Sequence, residues 1–320
     1  MRSYDESIKN YRWILNNFSS SNEVIKVILM IDLAHTLYFK HQYTEASDIL
    51  QKCISKSRLL GNKLGEIRAL QILAAIDIDK GEYDLALPIF QQILSIAEEI
   101  NDKEGMVVAL NEIANILFNR EEFPQALLLC ERATTISSEI GDQFLLLSSL
   151  FLKARVLKEQ NRTEESLNLL EHVLSQSEQM GYQIGVASIL YAKADLLFQE
   201  GNADEALAMC EESISIYNHL STKRDLGAVL KLKARIHHAR GETSRFLEVL
   251  KECLLVYEQL GAQVGVTYIL ILMAKLLKEM GDRKQALLYF DRASESYKGL
   301  HRQVEEFEQE LDSIKRTSLV

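Results

Sequence analysis

Residues 101–140, NDKEGMVVALNEIANILFNREEFPQALLLCERATTISSEI, decide the fold. Val107, Leu110, Ile113, Ala114 and Leu117 recur at steps of three and four, which puts them on one face of an amphipathic helix. The polar run from Asn119 to Glu122 interrupts that face. Phe123, Ala126, Leu127, Cys130, Ala133, Thr134 and Ile136 then form a second face that ends at Gly141. The unit is helix, turn, helix.

Working outward, the same unit recurs along the chain. Ala34, Ala74, Ala114, Ala154, Ala194, Ala234 and Ala274 stand 40 residues apart. A second ladder follows 12 residues behind the first, with Ala46, Ala86, Ala126, Ser166, Ala206 and Ala286, interrupted at Phe246. Small side chains at these places let paired helices approach closely. Glycine punctuates the pattern between helices at Gly81, Gly201, Gly241 and Gly281, and between repeats at Gly61, Gly141, Gly181 and Gly261, where a helix C-terminus needs positive φ. Stacked repeats touch only their neighbours and expose an extended surface, which is suited to binding other chains.

Composition agrees with a wholly helical chain. Hydrophobic residues make up 47% and charged residues 26%, with only two prolines, and length here counts repeats rather than separate domains. The net charge of −10, spread over helix surfaces, argues against non-specific binding to nucleic acid or anionic membranes. Neither an 18-residue uncharged apolar run nor a signal-peptide core at the N-terminus is present, so a cytoplasmic location is expected. Cys53 and Cys253, like Cys130 and Cys210, fall at equivalent repeat positions where other copies carry small or apolar residues, and read as core rather than metal ligands or disulfides.

These residues resemble the tetratricopeptide repeat. That pattern has a large apolar residue four before the first alanine (Met30, Leu70, Leu110, Leu150, Leu190, Leu230, Leu270) and an apolar residue three after it, departing here at Asp77 and His237. The resemblance covers roughly residues 21–300. The 40-residue period is similar to the longer-repeat branch found in maltose-regulator-type transcription activators, peptide-sensing phosphatase regulators and kinesin light chains, although the usual terminal proline is missing. It implies an all-α fold, a right-handed α-solenoid of helix-turn-helix repeats. Three segments follow: residues 1–20 as an N-terminal partial repeat or cap helix, 21–300 as seven repeats, and 301–320 as a C-terminal cap helix or the start of a coiled-coil linker. The last is read from the alternating spacing of Tyr297, Leu300, Val304, Phe307, Leu311 and Ile314.

In the resembled family the first helices line a groove, through residues three before, one after and four after the first alanine. Carried over, this places Gln71, Asn111, Asn115, Phe118, Phe151, Tyr191 and Phe198 in a groove of amides and aromatics. Arg155, Lys158, Lys231, Arg235, Lys275 and Lys278 form a basic half, with Asp195 among them. An amide donates and accepts at once, so Asn111 and Asn115, one turn apart, suit the backbone of an extended peptide. The bases suit ligand carboxylates. The alternatives are a solvated face neutralised by Asp32, Glu112, Asp195 and Glu279, aromatics that fill helix seams, and His237 as a core variant rather than a pH switch.

Enzyme signatures are lacking: no glycine-rich phosphate loop, no H-E-x-x-H and no G-x-S-x-G occurs. The expected function is therefore a non-catalytic scaffold that binds a protein or peptide segment, as the sensor or regulatory part of a bacterial signalling or transcription-control protein. It is expected to need no cofactor and no metal, and to engage neither membrane nor nucleic acid. A small-molecule sensor that switches an output domain or partner is the alternative, and self-assembly through the edges of the stack is a third, with oligomeric state open.

Overall fold

The computed structural model describes residues 2–17, 22–220, 222 and 225–298. Among these, every regular element is an α-helix: α1 (Arg2–Asn17), α2 (Glu23–Phe39), α3 (Tyr43–Leu59), α4 (Lys63–Asp79), α5 (Tyr83–Glu99), α6 (Lys103–Asn119), α7 (Phe123–Ile140), α8 (Gln143–Glu159), α9 (Thr163–Gln179), α10 (Gln183–Gln199), α11 (Ala203–His219), α12 (Leu226–Ala239), α13 (Thr243–Leu260), α14 (Gln263–Glu279) and α15 (Arg283–Lys298). The chain divides into two compact units, Met1–Leu169 and Leu170–Val320. The heptad seam expected beyond Lys298, and with it the 301–320 segment, lies outside the described residues.

Helix starts and stops follow from local chemistry. The carboxamide or carboxylate oxygens of Asn22, Asn62, Asp102 and Asp142 accept backbone N–H groups of the first turns of α2, α4, α6 and α8. Tyr182 and Ala262, at the same place before α10 and α14, offer no such cap. Among the described residues, the chain turns through the left-handed conformation at twenty-residue intervals from 41 to 201 and again from 241 to 281. Glycine occupies most of these slots, but His41, Asn101, Glu121 and Asn161 fill the others at φ of 54° to 61°.

Within each unit, consecutive helices pack in antiparallel hairpins. The first helices also touch the first helix of the next hairpin, as α2 with α4, α6 with α8, and α10 with α12. The two alanine ladders sit at these closest approaches: Ala34, Ala74, Ala114, Ala154 and Ala194 are completely buried, as are Ala46, Ala86, Ala126 and Ala206. Ser166 keeps the second ladder because its hydroxyl donates to the Ala154 carbonyl at 2.7 Å, so its oxygen is not left unsatisfied. Each cysteine is fully buried, and burial pushes each thiol up to about 12.

Polar pairs repeat with the fold as well. Asp5 of α1 binds Lys40 in the way that Asp84 of α5 binds Arg120 and Asp204 of α11 binds Arg240. Lys153 meets Glu131 at 3.2 Å, Lys233 meets Glu211 at 3.2 Å, and Lys193 meets Glu171, each one residue before a ladder alanine. At that position other hairpins carry Leu33, Leu73, Ile113 and Met273, all buried but for half-buried Leu73. Most of these pairs are exposed and contribute little individually.

Candidate functional site

Unit 2 contains a cavity of about 430 Å³ among α10, α12, α13 and α14. Leu232, Ile269, Leu272 and Leu276 make its floor, with Leu250 and Phe246 as a wall. Lys231, Arg235, Lys275, His238, Tyr191, Tyr268 and Glu279 surround it. The floor is apolar because α12 and α14 each direct toward the cavity the residue two before their ladder alanine, Leu232 and Leu272. The cations follow because the positions three before and one after that alanine lie on adjacent parts of the same helix face.

Arg235 is held by two neighbours. Its Nη1 donates to Asp195 Oδ1 at 3.4 Å, and its guanidinium lies 5.5 Å from the centre of the Phe198 ring. Unit 1 repeats the device: Arg155 Nη1 donates to Asn115 Oδ1 at a long 3.5 Å and stands 4.6 Å over the Phe118 ring. The residue one after the alanine in one repeat thus fixes its counterpart in the next, and the phenylalanine at the end of the preceding first helix supports it. Lys231 is half-buried and sits 5.9 Å from the Tyr257 ring. It has no carboxylate partner among the described residues.

The structure therefore brings Tyr191, Lys231, Arg235 and Lys275 to one cavity and attaches Asp195 and Phe198 to it through Arg235. Gln71, Phe151, Lys158 and Lys278 are half-buried on their helices and are not among its walls, Lys158 lying 3.3 Å from Glu159. Asn111 and Asn115 diverge. Asn111 Nδ2 donates across to Ser149 Oγ on α8 at 3.0 Å, and its Oδ1 is shielded from solvent without a partner among the described residues.

Beside it, Glu112 occupies a column filled by Asp32 in the first hairpin and by Ile72, Leu152, Ala192, Leu232 and Leu272 in the others, and burial pushes its carboxyl above the ordinary 4.5. That charge in a mostly apolar column was a signal available in the sequence. Tyr268 and Phe246 were not, because neither stands at one of the three groove positions per first helix. His237, buried, pairs through Nδ1 with Glu242 Oε2 at 2.6 Å, which holds the Glu242 carboxyl below its usual range.

Comparison with known proteins places this geometry. A family model of the MalT-like TPR region matches residues 6–295. No curated protein matches the chain. The apo form of RapI is similar in structure at 17% identity and a TM-score of 0.68, covering 80% of this chain and 92% of that one. A Rap protein complexed with Competence and Sporulation Factor is similar at 13% identity and a TM-score of 0.66, covering 99% of both chains. A signal transduction ATPase with numerous domains from Pyrococcus horikoshii, which carries a tetratricopeptide repeat sensor, is similar at 15% identity and a TM-score of 0.63, with 96% of this chain and 46% of that one covered. At these identities the likeness is one of fold, a tetratricopeptide-type helical solenoid. Among the described residues, no helix is long and apolar enough to cross a membrane.

Proposed function

Given that the chain belongs to the MalT-like TPR family, we propose that it is a non-catalytic regulatory scaffold of a bacterial signalling or transcription-control system, working in the cytoplasm and binding a protein or peptide segment along its first helices. The observation that carries this reading is the convergence of Tyr191, Lys231, Arg235 and Lys275 on one cavity in the row of first helices. A short, partly acidic segment finds cations, an aromatic pair and apolar floor there together. The sensor named in the Pyrococcus ATPase and the factor bound to the Rap protein support a regulatory role. The net charge of −10 weighs against nucleic acid as partner. The organisation read from the sequence, with a partial repeat at 1–20, repeats over 21–300 and a cap or linker at 301–320, belongs to the same proposal, and the ion pair of Asp5 with Lys40 supports it for α1.

The test is capture from lysate of the source cells, comparing the wild type with a Lys231→Ala, Arg235→Ala, Lys275→Ala variant and with an outer-face control, Glu252→Ala on α13. A partner kept by wild type and control but lost by the triple variant is expected; equal capture by all three refutes the reading. The cavity's volume of about 430 Å³ favours a second reading, a small-molecule sensor. A metabolite that raises the melting temperature of the wild type when no protein partner is captured would transfer the function to it.

A further inference from the structure

We infer that the cavity among α10, α12, α13 and α14 is built for a carboxylate joined to an apolar body, the carboxylate held by Lys231 and Arg235 and the body lying on the leucine floor. This rests on the reading that the first helices form the binding face and names the chemistry which that face selects.

Three observations converge. The cavity, about 430 Å³, has room for roughly 14 water-sized groups at about 30 Å³ each, too much for a lone inorganic anion and enough for a medium-chain acid or one large side chain with its terminus. Its floor of Leu232, Ile269, Leu272 and Leu276 has nothing to offer a polar body. Its wall carries Phe246 where the ladder elsewhere places alanine or serine, adding apolar surface that a sugar or polyphosphate would leave unused.

The charge then sets the anion. Lys231 is a half-buried ammonium without a carboxylate partner among the described residues, so an incoming carboxylate meets a cation that no other carboxylate neutralises. Arg235 spends one N–H on Asp195 at 3.4 Å and is steadied by Phe198, so its remaining N–H groups can take a carboxylate side-on.

Such a carboxylate has two sources, a free organic acid or the C-terminus of a peptide ending in a large apolar residue. Isothermal titration of the full chain with octanoate, n-octanol and octylamine tests the shared chemistry. A pentapeptide ending in phenylalanine, as free carboxylate and as C-terminal amide, separates the sources. The expected result is that octanoate, the free-acid peptide or both bind at least about tenfold more tightly than the matched neutral probe, octylamine not at all. Lys231→Met, which keeps the length of the side chain, should weaken the carboxylate by about tenfold and leave octanol unchanged. Arg235→Gln, with helicity checked by circular dichroism, serves as the second variant. Octanoate alone binding identifies a free acid and the peptide alone a chain terminus, and either supports the inference. Equal affinity for octanol and octanoate, no binding of either carboxylate, or indifference to both substitutions overturns it. Partner capture that persists alongside such a failure would leave the scaffold reading standing and sink the carboxylate pocket alone.

Discussion

Replacing Phe246 with alanine restores the ladder residue found at Ala206 and Ala286 and removes one wall of the cavity. The ring is 8% exposed, so nearly its whole apolar surface returns to water in the variant, a loss of about 1.5–3 kcal/mol. A sealed void would add about 24 cal/mol per Å³ and bring the total to roughly 3–5 kcal/mol. Here the ring borders a space whose mouth is formed by exposed Arg235, His238 and Tyr268, so water or ligand enters the vacated volume and the void contribution is small. The expected cost is about 2 kcal/mol, or about 4–8 °C in melting temperature for a unit of this size. Urea titration followed by far-ultraviolet circular dichroism measures it, with hydrogen exchange over residues 226–260 to localise the loss. A cost above about 4 kcal/mol means that a sealed core was opened, and one below about 0.5 kcal/mol means that the ring is not packed. Either result refutes the placement of Phe246 as the wall of a solvent-open cavity.

Glu112→Gln should change how stability depends on pH. The folded carboxyl titrates above its ordinary 4.5, so the folded state binds its proton more readily and the contribution is fully present below 4.5 and lost as pH rises through the raised value. The glutamine variant should therefore melt higher than wild type at pH 7 and match it below 4.5; a difference that does not vary with pH refutes the assignment. Lys193→Met puts an apolar residue where four other hairpins already have one, and thermal melting should find it neutral or stabilising by up to about 1 kcal/mol, because a nearly buried ammonium paired with a mostly exposed Glu171 regains little of its hydration. A loss above about 2 kcal/mol would show the pair to be structural. N-ethylmaleimide at pH 8 should leave all four thiols unmodified in the native chain and label all four in denaturant, as read by mass spectrometry, since each is fully buried and pushed up to about 12.

The solenoid was legible because its strongest constraint, the close approach of paired helices, admits few side chains. Ala34 through Ala274 print that constraint at a fixed interval. Ser166 bends the rule with a hydroxyl that reaches the Ala154 carbonyl, and Phe246 breaks it beside a cavity. Turns were half legible. Glycine announces a left-handed residue, whereas Glu121, in the same conformation at φ 61°, has a side chain that gives no sign of it.

The candidate site was legible in its polar part. Tyr191, Lys231, Arg235 and Lys275 stand at the first-helix positions, three before or one after the ladder alanine, that the family resemblance marks as groove-lining. Phe246 and Tyr268 enter from a second helix and from an earlier turn of α14, so their approach depends on tertiary packing that no single-helix count contains. Asn111 illustrates the reverse. Its type and spacing suit a peptide backbone, while one of its two N–H groups goes to Ser149 on the neighbouring helix, a contact that no spacing within one helix announces.

Among the described residues the left-handed turns fall on a twenty-residue grid, while the two alanine ladders and the row of first helices repeat only at every fortieth. The chain therefore has two clocks, and they constrain its possible lengths differently. Excising twenty residues would rejoin turn to turn without strain, but every helix downstream would change parity. Those that carry cavity residues would exchange places with those that carry the outer surface. Excising forty keeps both clocks in phase. Lineages of such chains can thus grow or shrink by whole hairpins and never by single helices, although nothing in the backbone forbids the smaller step: the veto comes entirely from which side chains must face inward.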